Sequence, residues 1–173
     1  MDIIHVDQLT KQFDELVAVD HISFSIEEGE IFGFLGPNGA GKTTTLSILS
    51  TLMAQTSGEA YVNGYDVKKQ QNEIRRSIGV VFQDPTLDEE LTARENMIIH
   101  GRLYGMKKPA AKIAELLSLV ELEKWEHKLV KTFSGGMKRR LEIARGLMHE
   151  PSILFLDEPT LGLDPQTRNH LWD

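Results

Sequence analysis

The chain contains no cysteine, which excludes disulfide bonds, thiolate nucleophiles and zinc–thiolate centres. It also lacks any apolar run of the ~18 residues that a membrane-spanning helix needs, and residues 1–5 lack signal-peptide character. An excess of positive charge is missing too: the formal net charge is −7, which disfavours a nucleic-acid backbone as the main partner. From these absences we expect a cytoplasmic protein whose contact with a membrane would come through a partner.

The 173 residues, with 40% hydrophobic and 26% charged side chains, suffice for one domain with a real core. The first third has β character. Residues 22–26 alternate apolar and polar side chains, as a half-buried strand does. Asn63-Gly64 between residues 59–62 and 65–67 predicts a hairpin with a type I′ turn, and the apolar run 78–82 predicts a buried parallel strand.

Helical signals follow Gln83. Periodicity and helix-forming residues predict three helices, at residues 92–104, 109–120 and 134–149. A strand is predicted again at 152–157, and a last helix should begin with Asp164 and Pro165. The sequence thus predicts an α/β core interrupted by a helical insert at about residues 84–150.

The most specific motif is a complete phosphate-binding loop of the form G-x-x-x-x-G-K-T. Its residues are Gly36, Pro37, Asn38, Gly39, Ala40, Gly41, Lys42 and Thr43. Glycines let the backbone curl so that its N–H groups face phosphate oxygens. Lys42 adds charge for the β/γ-phosphates, and the Thr43 hydroxyl can ligate Mg²⁺. Because Glu30–Leu35 looks like a strand and residues 43–52 like a helix, we predict a site for a nucleoside triphosphate.

A second motif is the apolar run 153–156 followed by Asp157 and Glu158. In P-loop NTPases an acid at the end of such a strand holds Mg²⁺ through its water shell, the role predicted for Asp157. Glu158 would then polarise the attacking water. An acidic pair that only starts a loop is the alternative, and Pro159 breaks the strand at this point.

A third motif is Ser134, Gly135, Gly136 and Met137 at the start of a helix. It could be a simple N-cap after flexible glycines. However, Lys138, Arg139 and Arg140 follow in the first turns, where cations oppose the helix dipole and need another reason to be present. The helix start would attract an anion, and we predict that it serves the nucleotide of a neighbouring subunit.

Together these residues resemble the ATP-binding subunits of ABC transporters. Residues 36–44 match the phosphate loop, Gln83 the Q-loop glutamine and 134–137 the family signature. Residues 153–158 match the Walker B strand and 161–164 the D-loop. The stretches 80–96 and 134–145 resemble the daunorubicin-resistance type of drug-exporter ATPase. Met137 stands where the signature usually has glutamine, and methionine is common there in this subgroup.

The resemblance implies roles for further residues. Gln83 would touch Mg²⁺ and the attacking water, and Thr44 would bind the α-phosphate. Phe13 would stack on adenine, since a ring face suits a flat base, and the alternative is an ordinary core or surface phenylalanine. Two subunits, identical or different, would pair head to tail, so that Ser134–Gly136 of one faces the γ-phosphate held by Lys42 of the other. ATP and Mg²⁺ are the implied cofactors, with Glu158, Gln83 and Lys42 as catalytic residues.

The implied fold class is α/β: a P-loop NTPase core of the ABC ATPase type, with an N-terminal antiparallel β subdomain and an inserted helical subdomain. We expect a single truncated domain over residues 1–173, with the core at 1–83 and 151–173 and the helical signature subdomain at about 84–150. C-terminal core strands would be missing, together with the switch histidine, which His170 is placed too early to replace. ATP binding is expected from this chain, and hydrolysis by it alone is doubtful.

The missing strand would normally lie between the phosphate-loop strand and the Walker B strand. Its loss would leave unpaired backbone groups along both walls of a gap, each at a cost of ~1–3 kcal/mol. As a hypothesis, the flanking strands Phe32–Leu35 and Ile153–Leu156 close on each other, or another chain fills the gap by strand exchange.

The leading functional prediction is an ATPase that powers an exporter, in particular one for drugs, from the cytoplasmic face of an integral membrane permease. The permease would dock around Glu89–Tyr104, although residues 86–91 could equally be a solvated loop. The alternative is a soluble ABC-type ATPase of DNA repair or translation, which the negative charge and the absence of a coiled-coil insert disfavour. A non-catalytic subunit would be expected to lack Glu158.

Overall fold

The computed structural model describes residues 2–84 and 86–157 of the chain. Glu158, the D-loop 161–164, the helix predicted at Asp164 and Pro165, and His170 lie outside these residues. The chain divides into two compact units, one ending at Ile78 and the other beginning at Gly79. The division into a core at 1–83 and 151–173 and a helical insert stays a prediction. None of the described helices has the length and apolar character needed to span a membrane.

The first unit is built on a four-stranded antiparallel sheet with the strand order β2-β1-β3-β4. Its elements in chain order are β1 (Asp2–Phe13), β2 (Leu16–Glu27), α1 (Lys42–Leu49), β3 (Ser57–Val62), β4 (Tyr65–Asp66) and α2 (Gln71–Ser77). The antiparallel β subdomain predicted from the sequence is therefore present. Helix α2 was not predicted, because the surrounding residues signal β-structure and its seven residues contain one buried apolar side chain, Ile74.

Pairing in this sheet follows the alternation of the sequence. Ile4 of β1 lies opposite Ile26 of β2 and Val62 of β3, and all three side chains are buried. The β3–β4 hairpin turns at Asn63 and Gly64, whose φ angles of 51° and 77° are the left-handed pair that a type I′ turn requires. The predicted hairpin is confirmed.

The strand predicted at Glu30–Leu35 is wrong. Residues 30–37 form no strand, and Ile31 and Leu35 are 74% and 96% exposed. Phe32 and Phe34 instead pack on Phe24 of β2, with ring centroids 5.4 and 5.3 Å away. An apolar run becomes a strand only where a neighbouring strand pairs with its backbone, and no described strand does so here. The hypothesis that Phe32–Leu35 and Ile153–Leu156 pair with each other is therefore wrong: among the described residues, Ile153–Leu156 pairs with Ile78–Val81. Filling of the gap by another chain stays a prediction.

The second unit combines a small sheet with a helical cluster. Its elements are β5 (Ile78–Val81, starting at the boundary), α3 (Ala93–Leu103), α4 (Ala110–Leu119), two 3₁₀ turns (Glu123–Trp125 and Val130–Thr132), α5 (Gly135–Gly146) and β6 (Ile153–Leu156). Strands β5 and β6 form a two-stranded sheet. The three predicted helices and both predicted strands are confirmed to within a few residues.

The core of the second unit joins its three α-helices. Met97 of α3, Leu117 of α4 and Leu141 of α5 are fully buried in one apolar cluster. Helix α5 also packs close to the small sheet: a Cβ added at Gly79 would lie 2.6 Å from the carbonyl oxygen of Gly146. The C-terminal end of α5 can approach β5 this closely only because residue 79 has no side chain.

Candidate nucleotide-binding elements

The phosphate loop runs from Gly36 into the first turn of α1. Gly39 and Gly41 have φ angles of 81° and 82°, in the left-handed region that glycine adopts at little cost. Gly41 is the N-cap of α1, and a Cβ at this position would lie 2.3 Å from the carbonyl oxygen of Ala18. Conformation and space both require glycine at 41, so the loop shape predicted from the motif has a structural basis.

Lys42 folds back over the loop. Its ammonium group donates to the carbonyl oxygens of Gly36 at 2.7 Å and Pro37 at 2.8 Å. The Ala40 N–H also donates to the Pro37 carbonyl, at 3.2 Å, which tightens the curl. Phosphate oxygens carry full negative charge and are stronger acceptors for an ammonium than carbonyl oxygens. These hydrogen bonds therefore hold the Lys42 ammonium beside Gly36 and Pro37 at the open side of the loop. There it can give up its bonds to the two carbonyl oxygens and bind a phosphate oxygen instead.

Helix α1 buries some of its residues in the core and exposes the threonines that are predicted to bind Mg²⁺ and phosphate. Thr45, Ile48 and Leu49 are buried, whereas Thr43 is exposed and Thr44 partly exposed. The N-terminus of a helix carries partial positive charge and unpaired N–H groups, which favour an anion. The two threonine hydroxyls thus lie in the first turn, at the end of the helix that attracts phosphate.

Phe13 ends β1 and is 41% exposed, which excludes the interpretation as a core phenylalanine. The Lys11 ammonium lies 4.8 Å from the centroid of its ring. The same ammonium donates to the Ala54 carbonyl oxygen at 2.9 Å, which fixes its position. A cation on a ring face is favourable, and nothing in the sequence motif indicated this contact. The predicted adenine-stacking role of Phe13 stays a prediction.

In the second unit, Gln83 and Asp157 follow the ends of neighbouring strands. Gln83 lies two residues after β5, and its side chain is exposed. The Asp157 N–H, directly after β6, donates to the Val81 carbonyl oxygen at 2.9 Å. Gln83 and Asp157, two of the three residues predicted to act on Mg²⁺, are therefore brought to the same edge of the small sheet.

The signature segment caps α5. The Ser134 hydroxyl accepts a hydrogen bond from the Met137 N–H at 3.2 Å, so the N-cap alternative is correct as far as local structure goes. Gly135 is exposed beside it. The predicted contact of Ser134, Gly135, Gly136 and Met137 with a partner's nucleotide stays a prediction.

The three cations after the signature have partners within the chain. Lys138 pairs with Glu89 at 2.5 Å, and Arg140 donates to the Val120 carbonyl oxygen at 3.1 Å. Arg139 donates to the carbonyl oxygens of Phe82 and Asp157, the latter at 2.5 Å. These contacts across elements supply the reason why cations are tolerated in the first turns of α5.

Two further residues of α5 were missed by sequence reasoning. Glu142, only 2% exposed, accepts hydrogen bonds from the Thr86 N–H at 2.7 Å and from the Thr86 hydroxyl. Arg145 donates to the Thr86 carbonyl oxygen at 3.0 Å and lies 3.9 Å from Glu142. Burial lowers the pKa of the Arg139 guanidinium, whereas the charges of Glu142 and Asp157 oppose that shift. The spacing of Arg139, Glu142 and Arg145 on one helical face was the only available signal.

A groove opens on the same unit. Its volume is about 200 Å³, and it is lined by Thr86, Asp88, Leu91, Asn96, Ile99, His100, Leu103 and Arg145. Ile99 and Leu103 are 49% and 79% exposed on its α3 side. Polar groups of the 86–88 segment therefore meet exposed apolar side chains of α3.

A comparison with known families matches residues 19–161 to the model described as ABC transporter. The doxorubicin resistance ATP-binding protein DrrA of Mycobacterium tuberculosis is 47% identical over 161 residues, which are 92% of this chain and 49% of that protein. The linearmycin resistance ATP-binding protein LnrL of Bacillus subtilis is 44% identical over 98% of this chain and 55% of its own length. The chain thus spans about half the length of the curated relatives it matches.

Solved structures agree with this assignment of fold. The structure of an ATP-binding subunit of an ABC transporter superposes with a TM-score of 0.87 at 30% identity, covering 98% of this chain and 71% of that one. A dimeric post-hydrolysis state of the ATP-binding cassette MJ0796, bound to ADP and Pi, gives 0.86 at 30% identity, covering 97% of this chain and 79% of that one. The fold class predicted from the sequence is confirmed.

Proposed function

Because the chain belongs to the ABC transporter family, we propose that it is the ATP-binding and hydrolysing part of a subunit that powers an exporter, in particular one for drugs. The observation that carries this proposal is the phosphate loop, with Gly41 in the left-handed region at the start of α1 and the Lys42 ammonium at its mouth. The drug class is supported by the relatives, which are ATP-binding proteins of doxorubicin and linearmycin resistance.

Mg·ATP fits the donor groups that the chain presents. Loop N–H groups and Lys42 would bind the β- and γ-phosphates, and Thr44 the α-phosphate. Mg²⁺ prefers oxygen ligands and usually retains several waters. Thr43, Gln83 and, through water, Asp157 offer the hydroxyl, amide and carboxylate oxygens that suit it. Among the described residues there is no group of three or more His, Cys, Asp or Glu that could bind a metal, so the phosphates would complete its shell.

Hydrolysis needs a positioned water and compensation of the charge on the transferred phosphoryl group. Glu158 would polarise that water, with Gln83 orienting it, and Lys42 would compensate charge. A second ATP-binding subunit, homologous or identical, would add its Ser134–Met137 segment to the γ-phosphate. The dimeric state reported for the MJ0796 cassette is consistent with this pairing.

An integral membrane permease would be the other partner, which would place the protein peripherally at the cytoplasmic face of the membrane. The groove beside α3 is the surface we assign to it, because Ile99 and Leu103 expose apolar area there. This surface overlaps the predicted docking region Glu89–Tyr104, which contains Ile99 and Leu103. The 86–91 segment is anchored to α5 through Thr86, which favours a docking role over that of a freely solvated loop.

Titration calorimetry with Mg·ATP tests the nucleotide part of the proposal. We expect heat of binding from the wild-type chain and a loss of about 10–100-fold in affinity for Lys42→Ala, since a hydrogen bond to a charged group contributes about 1.5–3 kcal/mol. Lys138→Ala is a matched control, because this lysine pairs with Glu89 at a distance from the phosphate loop in sequence. Absence of heat with the wild type, or equal affinity of wild type and Lys42→Ala, would contradict the proposal.

Co-purification tests the permease partner. Ile99→Asp and Leu103→Asp would place charge on the exposed apolar side of the groove, so we expect them to abolish capture of a membrane subunit while Mg·ATP affinity stays within twofold. Capture at the wild-type level by both variants would contradict the assignment of this surface.

A further inference from the structure

Helix α5 holds the loop that carries Gln83 at both of its ends. At the near end, the Arg139 guanidinium donates to the Phe82 carbonyl oxygen, one residue before Gln83. At the far end, Glu142 accepts from the Thr86 N–H at 2.7 Å, and Arg145 donates to the Thr86 carbonyl oxygen at 3.0 Å. The loop is therefore attached to one helix through two backbone positions four residues apart.

The same helix is attached to the end of β6. Arg139 donates its second terminal nitrogen to the Asp157 carbonyl oxygen at 2.5 Å. One guanidinium thus joins the backbones on which Gln83 and Asp157 sit, so neither backbone can shift relative to α5 without loss of a charge-assisted hydrogen bond.

The charges that make these contacts are buried. Arg139 is 6% exposed and Glu142 2% exposed, and the two lie 3.7 Å apart, with Arg145 3.9 Å from Glu142 on the other side. Removal of one partner of a buried ion pair is strongly destabilising, because it leaves an uncompensated charge. We therefore expect the network to keep the positions of Arg139, Glu142 and Arg145 relative to one another.

One end of this network of hydrogen bonds and ion pairs lies at the surface of the second unit. Thr86 and Arg145 both line the groove beside α3, whereas Glu142 and Arg139 lie behind them. A molecule that contacts Thr86 in the groove is therefore connected to the Glu142 carboxylate through the hydrogen bonds of Thr86. Glu142 in turn lies beside Arg139, which donates to the carbonyl oxygens of Phe82 and Asp157.

We propose that Arg139 and Glu142 are positioning residues that connect the groove to the Gln83 loop and the end of β6, so that displacement of Thr86 in the groove is coupled to the positions of Gln83 and Asp157. Neither residue touches nucleotide in this proposal. The coupling to the nucleotide site rests on the proposed function, whereas the attachment of the Gln83 loop to α5 can be tested without any ligand.

Amide hydrogen exchange on the full chain tests the attachment first. Glu142→Gln keeps the size of the side chain and an oxygen that can accept from Thr86, but removes the charge that faces Arg139 and Arg145. We expect exchange at residues 83–87 to become at least tenfold faster, while helix α1 and the α4 core keep wild-type rates. Glu121→Gln is the matched control: it also removes an acid paired with an arginine of α5, Arg140 at 3.4 Å, but at a site that is 78% exposed.

Two results would overturn the attachment: unchanged exchange at residues 83–87 in Glu142→Gln, or a uniform acceleration throughout the second unit, which would indicate a purely structural role. If Glu142→Gln does not fold, Thr86→Val serves instead. It keeps the N–H bond to Glu142 and removes only the hydroxyl contacts with Glu142 and Arg145. We expect about threefold faster exchange, confined to the loop, and no change there would also overturn the proposal.

Mg·ATP tests the coupling. In the wild type we expect saturating Mg·ATP to alter exchange at Thr86 and at residues 99–103 of the groove, and in Glu142→Gln we expect that response to be lost with nucleotide affinity within twofold of wild type. Retention of the full groove response in the variant would overturn the relay. A wild type that binds no Mg·ATP would instead refute the proposed function and leave the ligand-free exchange result as the test of the attachment.

Discussion

The phosphate loop in the first unit and the α5 network in the second achieve fixed geometry in opposite ways. The loop is exposed, and its shape comes from backbone angles at Gly39 and Gly41 and from a lysine that bonds to carbonyls five and six residues away. The network is buried, and its shape comes from charged side chains of α5 that bond to backbone groups 18 to 59 residues away. Local backbone conformation, together with the close approach of Gly41 to the Ala18 carbonyl oxygen, fixes the loop, whereas buried side-chain contacts fix the network.

Because of this difference, we expect substitutions in the phosphate loop and in the α5 network to have different effects. A substitution in the loop acts on the ligand and on the backbone that surrounds it, since the loop side chains are largely exposed. A substitution in the network removes the partner of a buried charge and therefore acts on the relation between several elements. The following predictions probe each side of this comparison, beginning with the largest effect.

Gly41→Ala should have the largest effect. The new Cβ would lie 2.3 Å from the Ala18 carbonyl oxygen, at a φ of 82° that costs a residue with a side chain about 1–2 kcal/mol. Clash and strain together should lower the free energy of unfolding by about 3 kcal/mol and abolish Mg·ATP binding. Urea denaturation and calorimetry measure the two effects.

Gly39→Ala is the control for this prediction, because it shares the φ value but has no heavy atom within 4 Å of its added Cβ. We expect it to cost about 1 kcal/mol of stability. Equal destabilisation by the two variants would show that the contact with Ala18 does not shape the loop.

Lys42→Ala should separate ligand binding from stability. Its bonds to Gly36 and Pro37 are solvent-exposed, so we expect a loss of at most about 1 kcal/mol in the free energy of unfolding. The fall in Mg·ATP affinity should be larger, as stated above. A thermal melt with and without Mg·ATP measures both: the ligand-induced rise in Tm should be clearly smaller in the variant than in the wild type. A large loss of stability without ligand would mean that the loop is not locally fixed.

His100 should make the stability of the second unit depend on pH. Burial, with the neighbouring charges of Arg145 and His149, lowers the pKa of His100 from 6.5 to about 4, and the ring also packs 5.0 Å from that of Tyr104. Because the folded pKa lies below the unfolded one, the stabilising contribution is present above pH 6.5 and is lost as the pH falls towards 4. After allowance for solvent screening we expect a loss of up to about 2 kcal/mol.

His100→Gln should flatten the stability profile between pH 6.5 and 4 in urea titrations. His127→Gln, at an exposed histidine of the same unit, is the control and should leave the slope of the profile unchanged. A wild-type slope in His100→Gln would show that the buried ring does not titrate in this range.

The smallest effect should come from Glu95, a local feature within the second unit. The backbone N–H and the hydroxyl of Thr92 both donate to its carboxylate, at 2.8 and 2.7 Å, and lower its pKa below the usual 4.5. The stabilising contribution is therefore present above pH 4.5 and is lost as the pH falls below that value. Glu95→Gln should lose it, whereas Glu73→Gln, in the first turn of α2, should not. Unfolding by urea at pH 3 and pH 7 distinguishes the variants.

The comparison also explains which sequence predictions succeeded. The hairpin at Asn63-Gly64 and the phosphate loop are contiguous motifs, and both have the predicted local conformation. The strand predicted at Glu30–Leu35 failed because a strand depends on a neighbour that adjacent residues cannot supply. The cations after the signature were noticed, but their partners Phe82, Glu89 and Asp157 could not be identified from helix periodicity.

The sequence by itself determined the family and the order of its motifs, because the required signals lie within a few residues of one another and act through backbone conformation and helix capping. Only the tertiary structure decided that Lys11 lies on the ring of Phe13, that the Gln83 loop is attached to α5 at both ends, and that Arg139 joins the ends of β5 and β6. These contacts depend on which side chains become buried together, and burial is a property of the packed chain.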